Sequence, residues 1–251
     1  MLLTFDIGNS AIKAAAFEGD EIKNIFRISD VFQIPEKFKL QNFDSAVISS
    51  VVPGKTEILT KLIREYSDIS PFVVTYQSRL NLIIDYETPE TLGTDRICAC
   101  EGALYLVKRD YPDFFNNNSL LLVIDAGTAT TTNLILYPGV FVGGTIAPGL
   151  KTMVQSLSEK TAELPEVKLD SYSGPIGKSS KDAISSGIFN SAFGQINKVL
   201  EAAKDQYRIN DYMIFGTGGL IEFYVKYSEF EIKTVIGLVN YGLKEIYKLN
   251  S

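Results

Sequence analysis

Two apolar runs of strand length set the plan of the chain: LLTFDIGNS at 2–10 and LLLVIDAGTATTT at 120–132. In each, an apolar stretch ends in an aspartate, with a glycine and a hydroxyl residue directly behind it. Such runs, closed by a Gly turn, predict strands buried on both faces. After the first, AIKAAAFEGDEIKNIFRI predicts two further strands joined at Glu18-Gly19-Asp20. Asp44–Val52 predicts another strand, stopped by Pro53-Gly54. Ile58, Leu59, Leu62 and Ile63 then recur at helical spacing. PFVVTY and NLIIDYE read as short extended segments, and DRICACEGALYLVKRDYPD as a helix beginning near Thr94–Arg96.

The second half repeats this order. Leu120–Asp125 is followed by two strands around Pro138-Gly139, then a helix beginning at Met153–Ser158 and a polar loop over Ala162–Pro175. Ser179–Tyr207 carries Ala183, Ile184, Ile188, Ala192, Ile196 and Leu200 on one face. That makes a long amphipathic helix whose stripe looks broader than a small lobe needs to bury. DYMIFGTGG predicts a strand and Gly turn, and FEIKTVIGLVNYGLKEIYKL a short strand and closing helix. Two halves of three antiparallel strands followed by alternating α and β predict a duplicated α/β protein, cleft between its lobes. The polar NNNS patch at 116–119 divides them, giving lobes 1–117 and 118–251.

An aspartate at the end of a buried strand sits beside backbone that can approach a ligand closely, because Gly8 and Gly127 lack a Cβ. Turn N–H groups with Ser10, Thr128 or Thr130 beside them suit phosphate oxygens. The aspartate itself would repel phosphate, so it points to a bridging cation. Two copies half a chain apart therefore predict a nucleotide clamp. Net charge of −6 makes local Lys, Arg or metal necessary for such a ligand, and together with the lack of a Lys/Arg cluster it argues against nucleic acid. With no histidine, a general base must be Asp, Glu, Lys, Tyr or Cys, and a Ser-His-Asp hydrolase is excluded. Cys98 and Cys100 read as small core residues. No apolar run reaches the length of a membrane span and no basic head precedes the first strand, so the expected compartment is the cytoplasm.

LGTDR at 92–96 is the most pointed chemical motif. Thr94 or Asp95 could cap the following helix. An Asp and an Arg at a positively polarised helix start also suit an anionic ligand, with Arg96 gripping a carboxylate and Asp95 accepting a proton from a hydroxyl. Lys13 could meet phosphate or simply lie exposed on its strand.

Taken in order, DIGNS (6–10), SSVVP (49–53), Tyr86, LGTDR (92–96), DAGTATT (125–131), GGTIAPG (143–149), GKSSKDAI (177–184) and GTGG (216–219) resemble a type III pantothenate kinase along essentially the whole chain. Ser10 and Ser180 stand where such kinases usually carry Thr, and Leu220 where an acidic residue is common. The resemblance implies two duplicated ribonuclease-H-like lobes of the actin-like ATPase class with ATP between them. It places ATP on Asp6, Ile7, Gly8, Asn9, Ser10, Ala11, Ile12, Lys13 and Thr128, Mg²⁺ on Asp6, and a monovalent cation, K⁺ or NH₄⁺, on Asp125. It assigns pantothenate to Tyr86, Gly93, Thr94, Asp95 and Arg96, with Asp95 as the base. It also implies a homodimer in which Ser180 reaches the pantothenate of the neighbouring subunit. The other readings are a related kinase for a different small hydroxy compound, or an ATP-binding accessory protein.

Overall fold

The computed structural model describes all 251 residues except 115, 117 and 161–163, and only the backbone at 41 and 160. Its strands and helices run β1 (Leu2–Ile7), β2 (Ile12–Glu18), β3 (Glu21–Ile28), α1 (Ile34–Lys37), β4 (Ser45–Ser50), α2 (Pro53–Tyr66), β5 (Phe72–Val73), β6 (Ile83–Ile84), α3 (Thr94–Asp110), β7 (Ser119–Ala126), β8 (Ala129–Leu136), β9 (Val140–Pro148), α4 (Leu150–Lys160), α5 (Ser180–Tyr207), β10 (Asp211–Thr217), α6 (Ile221–Tyr227), β11 (Ile232–Thr234) and α7 (Leu238–Asn250). The chain forms two compact units. Unit 1 holds Met1–Phe114, Gly139–Phe141 and Gly237–Ser251, and unit 2 holds Phe115–Pro138 and Val142–Ile236.

In unit 1 the sheet order is β3-β2-β1-β4-β5. β1 is antiparallel to β2 and parallel to β4. As the central strand, β1 is covered on both faces: Leu3, Phe5 and Ile7 are buried on one, and the polar Thr4 and Asp6 are buried on the other. The turn before β3 uses Gly19 at φ +62°, a conformation that excludes most side chains. In unit 2 the strands run β11-β10-β7-β8-β9, with β7 antiparallel to β8 and parallel to β10. Each unit thus has three antiparallel strands followed by two parallel ones, in the same order around the first. The two sequence copies are two copies of one ribonuclease-H-like topology.

The packing of α5 and the presence of α6 depart from the sequence reading. The apolar stripe of α5 is absorbed by its own unit: Ile188, Phe189, Ala192, Ile196, Leu200 and Ala203 pack in a core with Leu122, Ile124 and Tyr224. Helix α6 was not foreseen, because its seven residues follow a Gly-Gly pair and bury only Ile221 and Tyr224. The polar loop expected over Ala162–Pro175 includes Ala162 and Glu163, which lie outside the described residues.

The closing helix α7 belongs to unit 1, whereas a boundary at 117/118 assigns it to the second half. Its attachment is backbone to backbone. A Cβ on Gly102 of α3 would stand 2.2 Å from the Leu238 carbonyl oxygen, and one on Gly242 only 1.8 Å from that of Cys98. At its far side Lys244, buried, donates to Asp20 at 2.6 Å, and Lys248 joins it at 2.9 Å. These two hydrogen bonds hold the Asp20 carboxyl down to about 2. Among the described residues no helix is long and apolar enough to cross a membrane.

Candidate functional site

Antiparallel pairing sets Asp6 opposite Lys13 and Ile7 opposite Ile12, so the first loop is Gly8–Ala11, closed by the Gly8 N–H donating to the Ala11 carbonyl at 3.0 Å. Asp6 is buried at the strand end, while Asn9 and Ser10 are exposed. The Lys13 ammonium lies 3.6 Å from the Asp6 carboxylate. Lys55, in the first turn of α2, donates to the carbonyls of Gly8 and Asn9 at 3.3 and 3.1 Å. Two ammonium groups therefore flank this loop of an acidic chain. The role of Lys55 is hardly legible in the sequence, where its one signal is a lysine two residues past Pro53, which starts a helix.

The LGTDR motif is joined to the same sheet end. Ser49 pairs in register with Asp6, and its hydroxyl donates to Thr94 Oγ1 at 2.9 Å. Thr94 in turn donates to the Ser50 carbonyl at 3.3 Å. Neither Thr94 nor Asp95 is the cap of α3, which is Gly93 without a side-chain bond. Asp95 Oδ1 instead accepts the Arg96 backbone N–H at 2.8 Å, and a Cβ on Gly93 would stand 2.5 Å from that oxygen. Glycine at 93 gives the carboxylate room to fold back against the helix start.

The negative charge here is felt by Cys98, one turn along. Burial pushes its thiol well up, Asp6, Asp95 and Glu101 add to the rise, and only a hydrogen bond with Ser49 opposes it. Cys100 is raised for the same chief reason, burial. Both thiols stay protonated core groups, as the sequence reading held.

Arg96 is 7% exposed. Its guanidinium carbon lies 5.9 Å from the Tyr86 ring centre and 5.6 Å from that of Phe141, and the two rings meet edge-on at 5.8 Å. Cation–π packing of this kind holds a planar fork without using up its N–H donors. Tyr86 and Arg96, paired by sequence reasoning, are brought together. Phe141 was missed, because it sits 45 positions from Arg96 on a strand whose remainder lies in unit 2. A cavity of ≈ 440 Å³ opens beside Ser50, Leu92 and Thr94, but Glu57 and Glu90 also line it. Their charge disfavours an anion in that cavity.

In unit 2 three glycine loops converge on the end of β7. The Gly149 N–H donates to the Thr128 carbonyl at 2.9 Å, and a Cβ on Gly149 would come within 2.2 Å of the Gly127 oxygen. Gly218, at φ +97°, is packed so that a Cβ would meet Asp125 Oδ1 at 2.4 Å. Leu220, whose N–H donates to the Ala126 carbonyl at 2.9 Å, fixes the GTGG loop through the backbone. Its own side chain is buried in the unit 2 core, so this position serves packing. Thr128 stays exposed at the rim.

The sequence model of the type III pantothenate kinase family matches residues 2–202. The chain belongs to the type III pantothenate kinase family. Its relatives include type III pantothenate kinases of Geotalea daltonii, 31% identical over 88% of this chain and 87% of that one, and of Shouchella clausii, 29% identical over the full length of both. Among solved structures it is similar to a Campylobacter jejuni protein described as a Baf family transcriptional activator, with a TM-score of 0.62, 24% identity and coverage of 99% and 98%. It is also similar to component A of the Acidaminococcus fermentans (R)-2-hydroxyglutaryl-CoA dehydratase, with a TM-score of 0.51, 14% identity and coverage of 100% and 99%. These two likenesses bear on the fold alone.

For a type III pantothenate kinase, the remaining residue of interest is Ser180. It opens α5 and is exposed, but it is not the cap: Ser179 is, accepting the Asp182 N–H at 3.2 Å and donating to its carboxylate at 2.7 Å. The hydroxyl of Ser180 is therefore not needed to start the helix. Ser180 belongs to unit 2, whereas Tyr86, Gly93, Thr94, Asp95 and Arg96 all belong to unit 1.

Proposed function

We propose that this chain transfers the γ-phosphoryl group of ATP to the primary hydroxyl of pantothenate, giving ADP and 4′-phosphopantothenate, the first step of coenzyme A synthesis. The observation that carries this reading is the pairing of Asp95 with Arg96 at the positive end of α3, hydrogen-bonded through Thr94 and Ser49 to the strand beside the first phosphate loop. Phosphoryl transfer asks for alignment and charge neutralisation more than for covalent chemistry. Asp95 orients the hydroxyl and takes its proton; Arg96, braced by Tyr86 and Phe141, grips the carboxylate at the other end of the acceptor, and Gly93 and Thr94 shape the space between. The loop Asp6–Lys13 and Thr128 hold the phosphates. A coupled ADP-release assay with pantothenate, a panel of sugars and short hydroxy acids tests the reading. ADP release with another acceptor but not with pantothenate would favour a related kinase; ATP binding without turnover on any acceptor would favour an accessory protein.

Among the described residues no three His, Cys, Asp or Glu side chains gather as a metal cage. Mg²⁺ fits such a site, because it keeps several waters and needs only one or two carboxylates beside the phosphates it arrives with. Asp6 would hold it and Asp125 a K⁺ or NH₄⁺ ion, and these cations would offset the charge of the triphosphate. Activity is expected to require both kinds of cation, and Asp125→Asn to alter the monovalent requirement while leaving the Mg²⁺ titration in place. Full turnover of the wild type in Mg²⁺ and Tris alone would remove the second cation.

The active unit in this reading is a homodimer whose sites combine Ser180 of one subunit with Asp95 and Arg96 of the other. Its support is the family resemblance and the exposed Ser180, no longer the stripe of α5, which is spent on the unit 2 core. Co-expressing inactive Asp95→Asn and Ser180→Arg chains should restore about a quarter of wild-type activity, since some mixed dimers carry one site with both lesions and one with neither. No recovery in verified heterodimers would put Ser180 in its own subunit's site or in no site at all.

A further inference from the structure

Glu101 is a buried carboxylate that the reaction itself does not use. It lies in the middle of α3 at 1% exposure, surrounded in sequence by Cys98, Ala99, Cys100, Gly102, Ala103 and Leu104, all buried. Taking a carboxylate out of water is costly unless its oxygens are hydrogen-bonded, and an apolar residue would serve helix packing more cheaply. Burial accordingly raises its pKa, against the hydrogen bonds it receives. Those bonds come from one place: Oε1 accepts the Leu82 N–H at 2.8 Å and Oε2 the Asn81 side-chain amide at 3.2 Å.

Leu82 directly precedes β6, a strand of two residues that has little to hold it. β6 pairs in parallel with Val140 and Phe141, through Ile83 N–H to the Gly139 carbonyl and Asp85 N–H to the Phe141 carbonyl, both 2.9 Å. Gly139 in turn is pressed on α3, where a Cβ would stand 2.9 Å from the Leu104 side chain. The segment that leaves β6 delivers Tyr86, and the paired strand delivers Phe141, the two rings that brace Arg96. Arg96 and Glu101 thus stand on one helix, one gripped by the far end of the 82–86 segment and the other gripping its near end.

We propose that Glu101 is a positioning residue for acceptor binding: by tying Leu82 and Asn81 to α3 it fixes the Tyr86–Phe141 brace and with it the aim of the Arg96 guanidinium. This rests on the reading of Arg96 as the carboxylate grip. Removing the carboxylate leaves a buried N–H without an acceptor and frees the near end of the segment, so the damage should appear in acceptor affinity.

The test compares Glu101→Leu and Glu101→Gln with wild type. Glu101→Leu should raise the KM for pantothenate about tenfold, the scale of one orphaned buried donor, with KM for ATP changed less than about twofold on the same argument. Glu101→Gln keeps a carbonyl oxygen for the Leu82 N–H and should stay within about threefold of wild type. Hydrogen exchange of the folded, substrate-free proteins supplies a readout independent of turnover: in Glu101→Leu, peptides covering 81–86 and 139–141 should exchange faster while α5 is unchanged. Wild type inactive on pantothenate would overturn the functional reading, and the exchange pattern would still decide the tether. An unmoved pantothenate KM in folded Glu101→Leu, equal losses for both substrates, or unchanged exchange over 81–86 would overturn the positioning role.

Discussion

Asp95→Asn is expected to lower kcat by about 10²–10⁴ while ATP binding stays close to wild type, the signature of losing a general base. That loss corresponds to about 3–5 kcal/mol of transition-state stabilisation. Asparagine is nearly isosteric and still offers an oxygen to the Arg96 N–H, the local bond the carboxylate makes now. The start of α3 should therefore survive, and only the proton acceptor is removed. Steady-state ADP release and calorimetric titration with a non-hydrolysable ATP analogue measure the two quantities separately. Gly93→Ala is the companion variant. Its Cβ would meet Asp95 Oδ1 at 2.5 Å, so it should displace the carboxylate and give a smaller kcat loss with the base still present. A parallel collapse of ATP affinity in Asp95→Asn would make Asp95 a structural or metal-binding group.

Gly242→Ala is expected to be the most destabilising of the single-methyl changes in the two-helix contact of unit 1. The added Cβ would lie 1.8 Å from the Cys98 carbonyl oxygen, which belongs to helix backbone and has no rotamer to yield. Relief requires α3 and α7 to move apart, yet α7 is also held by Asn240, whose amide donates to Thr4 Oγ1 at 2.8 Å and to the Lys13 carbonyl at 3.3 Å. Overpacking of this severity costs about 3 kcal/mol, and a chain of this size should lose about 6–12 °C of Tm. Gly187→Ala is the contrast. That glycine lies inside α5 with nothing within 4 Å of the added Cβ, so helix propensity alone acts and the variant should be stabilised by up to about 1 kcal/mol. Equal melting of Gly242→Ala and wild type would mean that the two helices do not meet at backbone distance. Because Asn240 reaches the carbonyl of Lys13, the variant should also weaken ATP binding at temperatures where it is still folded.

What the sequence by itself determined was local. An apolar run ending in Asp and Gly has few ways to fold, so both copies were legible as buried strands closed by a glycine loop, and their repetition as a duplicated topology. The adjacency of Asp95 and Arg96 at a helix start was legible too, since it needs one turn of backbone and no partner. The fate of the two cysteines followed from composition. Tertiary structure decided everything that depends on which surface meets which. Phe141 joins Tyr86 and Arg96 only because β9 begins beside β6. Lys55 reaches the first loop only because α2 starts at the same sheet end. The stripe of α5 looked like surplus because its own unit's core, with Tyr224 of the unforeseen α6, could not be counted from periodicity. Ser179, and not Ser180, caps α5, a one-residue difference set by φ and ψ at the helix entry. Glycines 102 and 242 look like ordinary helix weak points until two backbones approach through them. Pattern fixes what a segment is, since that depends on residues a few positions apart; long-range packing fixes what it touches, and the candidate site is made of such touches.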